Sequence, residues 1–272
     1  MINKERQMLM IDLSNVTYSY SGILALNNIS LKITKGEAVA LMGPNGSGKS
    51  TVLKLINGII SPDSGGYKYN DEEITHKKLQ DTKFAKSFHQ KIGFVFQNSD
   101  TQLFCADVYD EIAFGPRQMG LSETEIEKRV NDCLELLNIQ DFKHRPPYHL
   151  SGGEKRKVAV ACVLSLNPEV LILDEPMNGL DPRTQRWLAE FLVKLNKAGK
   201  TLVISTHNLE LVHEISSRTI LFDGKHTIAA DMDTVKLLEN IELLKSVNLV
   251  DEYYHSHDGT DHKHYHIHNH SY

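Results

Sequence analysis

This sequence predicts an open α/β sheet, and three of its stretches point there. Residues 37–58 read EAVALMGPNGSGKSTVLKLING: a short apolar run, a glycine-rich loop, then Val52, Leu53, Leu55 and Ile56 at helical spacing. Residues 170–173 are an unbroken apolar run, as in strands buried on both faces, and they deliver Asp174 and Glu175 at their end. A third run, TLVIST at 201–206, ends at His207. In open α/β sheets ligands bind at the carboxyl edge of the strands, where all three runs place their polar residues.

With 272 residues and 40% hydrophobic content the chain can bury a real core, as one large or two small domains. The net charge of −5 is mild, and residues 251–272 supply −3 of it, so nothing in the balance marks a nucleic-acid binder. Cys105, Cys133 and Cys162 are odd in number and not spaced as metal ligands. They read as packed reduced thiols and fit a reducing cytoplasm. The opening MINKERQMLMIDLSN is charged early and lacks the apolar core of a secretory signal. No apolar run approaches the roughly 18 residues that span a bilayer, so a membrane role is expected to come through a partner.

The glycine-rich loop matches G-x-x-x-x-G-K-[ST] as Gly43, Gly48, Lys49 and Ser50, with Pro44, Asn45, Gly46, Ser47 and Thr51 completing it. Its glycines let backbone N–H groups turn around phosphate oxygens, and the helix N-terminus adds positive potential. Lys49 is expected to reach the β- and γ-phosphates, and the Ser50 hydroxyl to take a Mg²⁺ position. Asp174 is placed to hold Mg²⁺, directly or through water. Glu175 can orient or deprotonate the attacking water, and the His207 imidazole can reach the γ-phosphate. Taken singly, Asp174 reads equally as a cap, Glu175 as solvated surface and His207 as a strand-end histidine.

A second anion site is expected at HLSGGEKRKVAVACVLSLNP. Ser151, Gly152 and Gly153 begin a helix whose apolar face runs through Val158, Val160, Ala161 and Leu164. One nucleotide cannot use both anion sites unless they converge, and a two-fold dimer that shares each nucleotide between subunits would use both.

With GPNGSGKST, LSGGE, LILDEP, NGLDP and STH in order, the chain resembles the ATP-binding subunits of ABC transporters over residues 9–231. The resemblance implies an α/β P-loop ABC-type ATPase domain over 1–231, with a helical signature subdomain, that hydrolyses ATP with Mg²⁺. It implies that Tyr20 stacks on adenine, and that Gln97 joins Ser50 and Asp174 around Mg²⁺ and senses the membrane partner. Catalysis is then expected from Glu175, His207, Gln97 and Lys49. Ser151, Gly152, Gly153 and Asp181 are expected to meet the nucleotide of the opposite subunit.

The segment FVFQNSDTQLFCADVYDEIAFGPRQMGL is more selective and resembles the ATPases of energy-coupling-factor importers, with Ser99 in place of the usual proline. The resemblance makes Gln102, Leu103 and Phe104 candidates for the surface facing a transmembrane coupling protein, core packing of Leu103 and Phe104 being the alternative. It implies a second ATPase subunit, a separate substrate-capture membrane protein and a peripheral position on the cytoplasmic face of the membrane. Glu154 stands where the family often has glutamine, and Met177-Asn178 replace a common Thr-Ala; altered rates, not lost activity, are expected.

Residues 232–254 carry apolar positions at Val235, Leu237, Leu238, Ile241, Leu244 and Val247, consistent with one or two amphipathic helices. By resemblance such an extension helps dimerisation; packing on its own domain is equally compatible. Seven of the chain's 14 histidines lie in 255–272, where His262, His264, His266, His268 and His270 alternate with other residues. The segment is expected to be a flexible tail that collects Ni²⁺ or Co²⁺ on its imidazoles, as a buffer or sensor of imported metal. A solvated tail without a role is the alternative. So are, for the whole protein, a vitamin importer's shared ATPase and a metal-storing regulatory protein that uses ATP as a switch.

Overall fold

The computed structural model describes residues 8–257 and 260–267. Strands β1 (Leu9–Tyr20) and β2 (Ile23–Thr34) form an antiparallel ribbon, after which β3 (Ala38–Met42) runs through the glycine-rich loop into helix α1 (Lys49–Ile56). Strands β4 (Ser64–Tyr69) and β5 (Glu72–Glu73) extend the ribbon to a sheet of order β2-β1-β4-β5. Helices α2 (His76–Gln80) and α3 (Thr82–Lys91) lead into β6 (Ile92–Val95). A helical block of α4 (Val108–Gln118), α5 (Glu123–Leu136) and α6 (Gly152–Leu164) then precedes β7 (Val170–Asp174). The alternation continues through α7 (Pro182–Lys197), β8 (Thr201–Ser205), α8 (Leu209–Ile215), β9 (Arg218–Phe222) and β10 (Ile228–Asp233). It ends in α9 (Thr234–Glu239), α10 (Ile241–Ser246) and a hairpin of β11 (Val250–His257) and β12 (Thr260–Ile267).

The central sheet has the order β10-β9-β3-β8-β7-β6 and is parallel except for β10, which pairs antiparallel with β9. Every residue of β3, β6, β7 and β8 is buried, which is why these strands read as unbroken apolar runs. Alternate residues serve the two faces. Val170, Ile172 and Val203 pack with α1 and the antiparallel sheet, while Leu171, Leu173, Leu202 and Ile204 pack with residues of α4, α5, α6 and α7. Because β3, β8, β7 and β6 are consecutive neighbours, their carboxyl ends bring Gly43, His207, Asp174 and the Gln97 loop to one edge.

The C-terminal extension differs from its sequence reading. Strand β10 runs to Asp233, helices occupy 234–239 and 241–246, and a strand begins at Val250, so the helical stretch is shorter than 232–254. Leu237, Leu244, Val247 and Leu249 are buried against Ala40, Met42, Val212 and Leu221, which places the extension on its own domain, behind β3 and β9. The expectation of a flexible 255–272 segment is corrected for 255–257 and 260–267, which belong to the paired strands β11 and β12. The period-two alternation that suggested a chelating chain is also the strand period, and Tyr253, Tyr254, Tyr265 and Ile267 have strand propensity. His268 and His270 lie outside the described residues.

Candidate nucleotide site

The glycine-rich loop closes on α1 by conformations that side chains resist. Gly43 has φ 144°, and a Cβ there would stand 2.5 Å from the Phe222 carbonyl oxygen. Gly48, at φ 108°, would place one 2.6 Å from the Ala25 carbonyl oxygen. Both positions need left-handed backbone and close approach, so the glycines of the motif are steric necessities. Lys49, 6% exposed, donates to the carbonyls of Gly43 at 2.8 Å and Pro44 at 3.0 Å. Burial holds its ammonium below the ordinary lysine range, opposed by the charges of Glu175 and Asp174.

Across the loop, the Ser50 hydroxyl donates to Asp174 Oδ1 at 2.9 Å, and the Ser205 hydroxyl donates to the same oxygen at 2.5 Å. Ser205 Oγ in turn accepts from the Glu175 backbone N–H at 2.9 Å. Glu175 sits at φ 43°, which is uncommon for a residue with a side chain, and it is 8% exposed. Its Oε2 is 3.0 Å from His207 Nδ1; this hydrogen bond raises the imidazole pKa above its ordinary value, against the effect of burial. Glu175 and His207 border a cleft of about 830 Å³ that also takes in Gln97, Asn178, Thr206 and residues 45–51, Ser50 among them.

The cleft fits a nucleoside triphosphate with a hard divalent cation. Buried Ser47 Oγ lines it with no hydrogen-bond partner among the described residues. The hydroxyl of Ser50, the carboxylate of Asp174 and the amide oxygen of Gln97 form an all-oxygen donor set suited to Mg²⁺. Among residues with described side chains, no group of three or more His, Cys, Asp or Glu is placed to hold a metal by itself.

Other expected residues lie elsewhere. Tyr20 is 41% exposed, packed edge-on to Tyr18 at 4.9 Å, and does not border the cleft. Ser151 caps α6 in a reciprocal capping box: its Oγ accepts from Glu154 N–H at 3.4 Å, and Glu154 Oε2 accepts from Ser151 N–H at 2.7 Å. That backbone bond holds the Glu154 carboxyl below its ordinary range. Asp181 caps α7, accepting from the Thr184 hydroxyl at 2.6 Å, and a Cβ on Gly153 would stand 2.9 Å from that hydroxyl's oxygen. Ser151, Gly152, Gly153 and Asp181 thus belong to one neighbourhood, outside the chain's own cleft.

Two features escaped sequence reasoning. Ser205 was counted as part of an apolar strand; its hydroxyl before His207 was the available signal. Arg156, 3% exposed on α6, donates to the carbonyls of Phe96 at 2.6 Å and Gln97 at 2.5 Å, and Lys155 donates to Asp100 at 2.5 Å. Of the coupling-surface candidates, Leu103 packs on the helical core while Phe104 is 68% exposed, edge-on to the exposed Phe114 at 5.0 Å. These two rings border a second cleft of about 300 Å³ with Phe94, Phe96 and the buried Glu111.

Residues 26–178 match the model of the ABC transporter family. The chain is 46% identical over 228 residues to the nickel import ATP-binding protein LarO of Lactiplantibacillus plantarum, covering 84% of this chain and 95% of that one. It is 40% identical over 253 residues to the energy-coupling factor transporter ATP-binding protein EcfA of Methanococcus maripaludis, covering 90% and 89%. The structure of cbiO1 from Clostridium perfringens, part of the ABC transporter complex cbiONQ, superposes with a TM-score of 0.77 at 35% identity, covering 89% of this chain and 96% of that one.

Proposed function

The chain belongs to the ATP-binding proteins of ABC transporters, of the energy-coupling-factor type, and from that premise we propose that it powers uptake of nickel or cobalt ions through a membrane complex. The observation that carries the cargo is the 46% identity, across most of both chains, to a nickel import ATP-binding protein.

In this reading Lys49 exchanges its carbonyl partners for β- and γ-phosphate oxygens, and Ser47 Oγ gains the partner it lacks. Mg²⁺, when bound, neutralises charge on the β- and γ-phosphates. Ser50, Asp174 and Gln97 are the residues that would hold it. Glu175 orients the attacking water and takes its proton, while His207, fixed by Glu175, faces the γ-phosphate. Tyr20 stacks on adenine from its exposed position. Ser151, Gly152, Gly153 and Asp181 serve the nucleotide of a second ATPase subunit; their distance from the chain's own cleft supports that division.

Among the described residues no helix is long and apolar enough to cross a membrane. By its likeness to energy-coupling-factor ATPases, the protein in this reading acts at the cytoplasmic face of the membrane, through a transmembrane coupling protein and a substrate-capture protein. The cleft beside Phe104 and Phe114 receives an apolar helix of the coupling protein. The His-rich C-terminus holds Ni²⁺ or Co²⁺ beside the motor.

Uptake of radiolabelled nickel and cobalt by cells, comparing wild type with Glu175→Gln at matched expression, tests this reading. Loss of uptake with retained MgATP binding is expected. Undiminished uptake of both ions by a variant shown to lack ATPase activity would discard the metal cargo and leave a vitamin as the transported solute.

A further inference from the structure

The Arg156 guanidinium is a buried charge to which the cleft chemistry above gives no task. It is 3% exposed, and its two Nη atoms donate to the carbonyl oxygens of Phe96 at 2.6 Å and Gln97 at 2.5 Å. Its Nε, also buried, has no hydrogen-bond partner among the described residues. Burying a guanidinium against neutral acceptors is costly, and an apolar side chain would pack α6 against this loop without that cost. What the guanidinium adds is a planar fork of donors that fixes two successive carbonyls at once.

Those carbonyls lie where the two clefts meet. Phe96 borders the second cleft, its ring 4.6 Å from that of Phe94, and Gln97 borders the nucleotide cleft. The Phe96 N–H is held as well, donating to Gln102 Oε1 at 3.2 Å. Strand β6 and its pairing with β7 end at Val95, so beyond that point side chains do what the ladder does within the strand. The backbone that aims the Gln97 side chain is therefore set by Arg156 and Gln102. We propose that Arg156, assisted by Gln102, is a positioning residue for ATP hydrolysis, fixing the Gln97 amide oxygen where Mg²⁺ binds. Mg²⁺ demands near-ideal octahedral geometry, so a donor on a loosened loop serves it poorly even with its amide intact. The inference rests on the Mg²⁺ role given to Gln97 above and is independent of the cargo.

The full-length protein is titrated with MgCl₂ in the presence of a fluorescent, non-hydrolysable ATP analogue, as wild type, Gln97→Ala, Arg156→Met and the double variant. Binding of the same analogue is also measured in EDTA, and thermal melting confirms folding. Arg156→Met is expected to raise the Mg²⁺ concentration for half-maximal tight binding roughly tenfold, the loss typical of a residue that orients a metal ligand. Gln97→Ala should give a similar rise, and the double variant no more than the larger single effect, because both changes remove the same oxygen from the ion. Binding in EDTA should be equal throughout, since Lys49 and the glycine-rich loop are untouched. Arg156→Lys keeps the charge without the fork; it should fall between wild type and Arg156→Met, and it carries the comparison if Arg156→Met does not fold. A wild-type Mg²⁺ requirement in the folded Arg156 variants, additive losses in the double variant, or weakened binding in EDTA overturns the positioning role and leaves Gln97 its own. An unchanged requirement in Gln97→Ala instead removes Gln97 from the Mg²⁺ site, and both readings fall together.

Discussion

Ser205→Ala removes one oxygen, and the structure says what that oxygen holds. Ser205 is fully buried at the end of β8 and makes two bonds in opposite senses, donating to Asp174 Oδ1 and accepting from the Glu175 N–H. The bond to the carboxylate is charge-assisted, worth about 1.5–3 kcal/mol, and the neutral one about 0.5–1.5 kcal/mol. Asp174 keeps the Ser50 hydroxyl, and the Glu175 N–H keeps a 3.2 Å contact to the Ser205 carbonyl, so the net loss is below the sum, about 1–3 kcal/mol. That loss falls where the left-handed backbone of Glu175 aims its carboxylate at the cleft, so kcat for ATP is expected to drop roughly tenfold to a hundredfold. KM for ATP should change little, because Lys49 and the glycine-rich loop are untouched. The assay is steady-state phosphate release, with urea denaturation of the same preparation to confirm folding. An unchanged kcat in a folded variant would refute the argument that Ser205 positions Glu175.

His207 titrates above its ordinary 6.5 in the folded chain because it is hydrogen-bonded to Glu175, so its contribution to stability is complete below that value and is lost as pH rises through the folded-state pKa. In Glu175→Gln the imidazole should titrate lower, measured by NMR; an unmoved His207 pKa would place its cause elsewhere. Ser151→Arg should block hydrolysis by the purified dimer, since it fills the second anion site and breaks the capping box of α6; full turnover would reject a nucleotide shared between copies. Truncation after Val250, which is 5% exposed and the last residue with a described side chain in the core behind β3, should leave ATPase activity and melting temperature unchanged while lowering bound Ni²⁺. A large fall in melting temperature would show the hairpin to be part of the domain's core.

The cleft was legible because its chemistry is written locally: a glycine loop after one apolar run, two carboxylates after a second, a histidine after a third. The order of strands in the sheet only had to bring those ends together. Tertiary choices were not legible in the same way. Leu103 and Phe104 are adjacent apolar residues, yet one joins the helical core and the other faces solvent, a decision made by the course of the loop and not by hydropathy. Whether Leu237 and Leu244 cover their own sheet or another copy depends on the apolar back of β3, where Ala40 and Met42 are indistinguishable in sequence from residues facing the other way. Alternating histidines fit an open chelating chain and a strand equally well, and the partner strand decides.

The buried guanidinium of Arg156 makes a yoke between two distant parts of the motor. Pulling the Gln97 loop away from α6 would strand a charge that is 3% exposed and strip it of two carbonyl acceptors, each charge-assisted bond worth about 1.5–3 kcal/mol. Lys155, bonded to Asp100, adds a second strap on the same helix. These bonds tie the Gln97 loop to the helix that Ser151 caps and whose first turn carries Gly153, so separating the two would cost their hydrogen bonds.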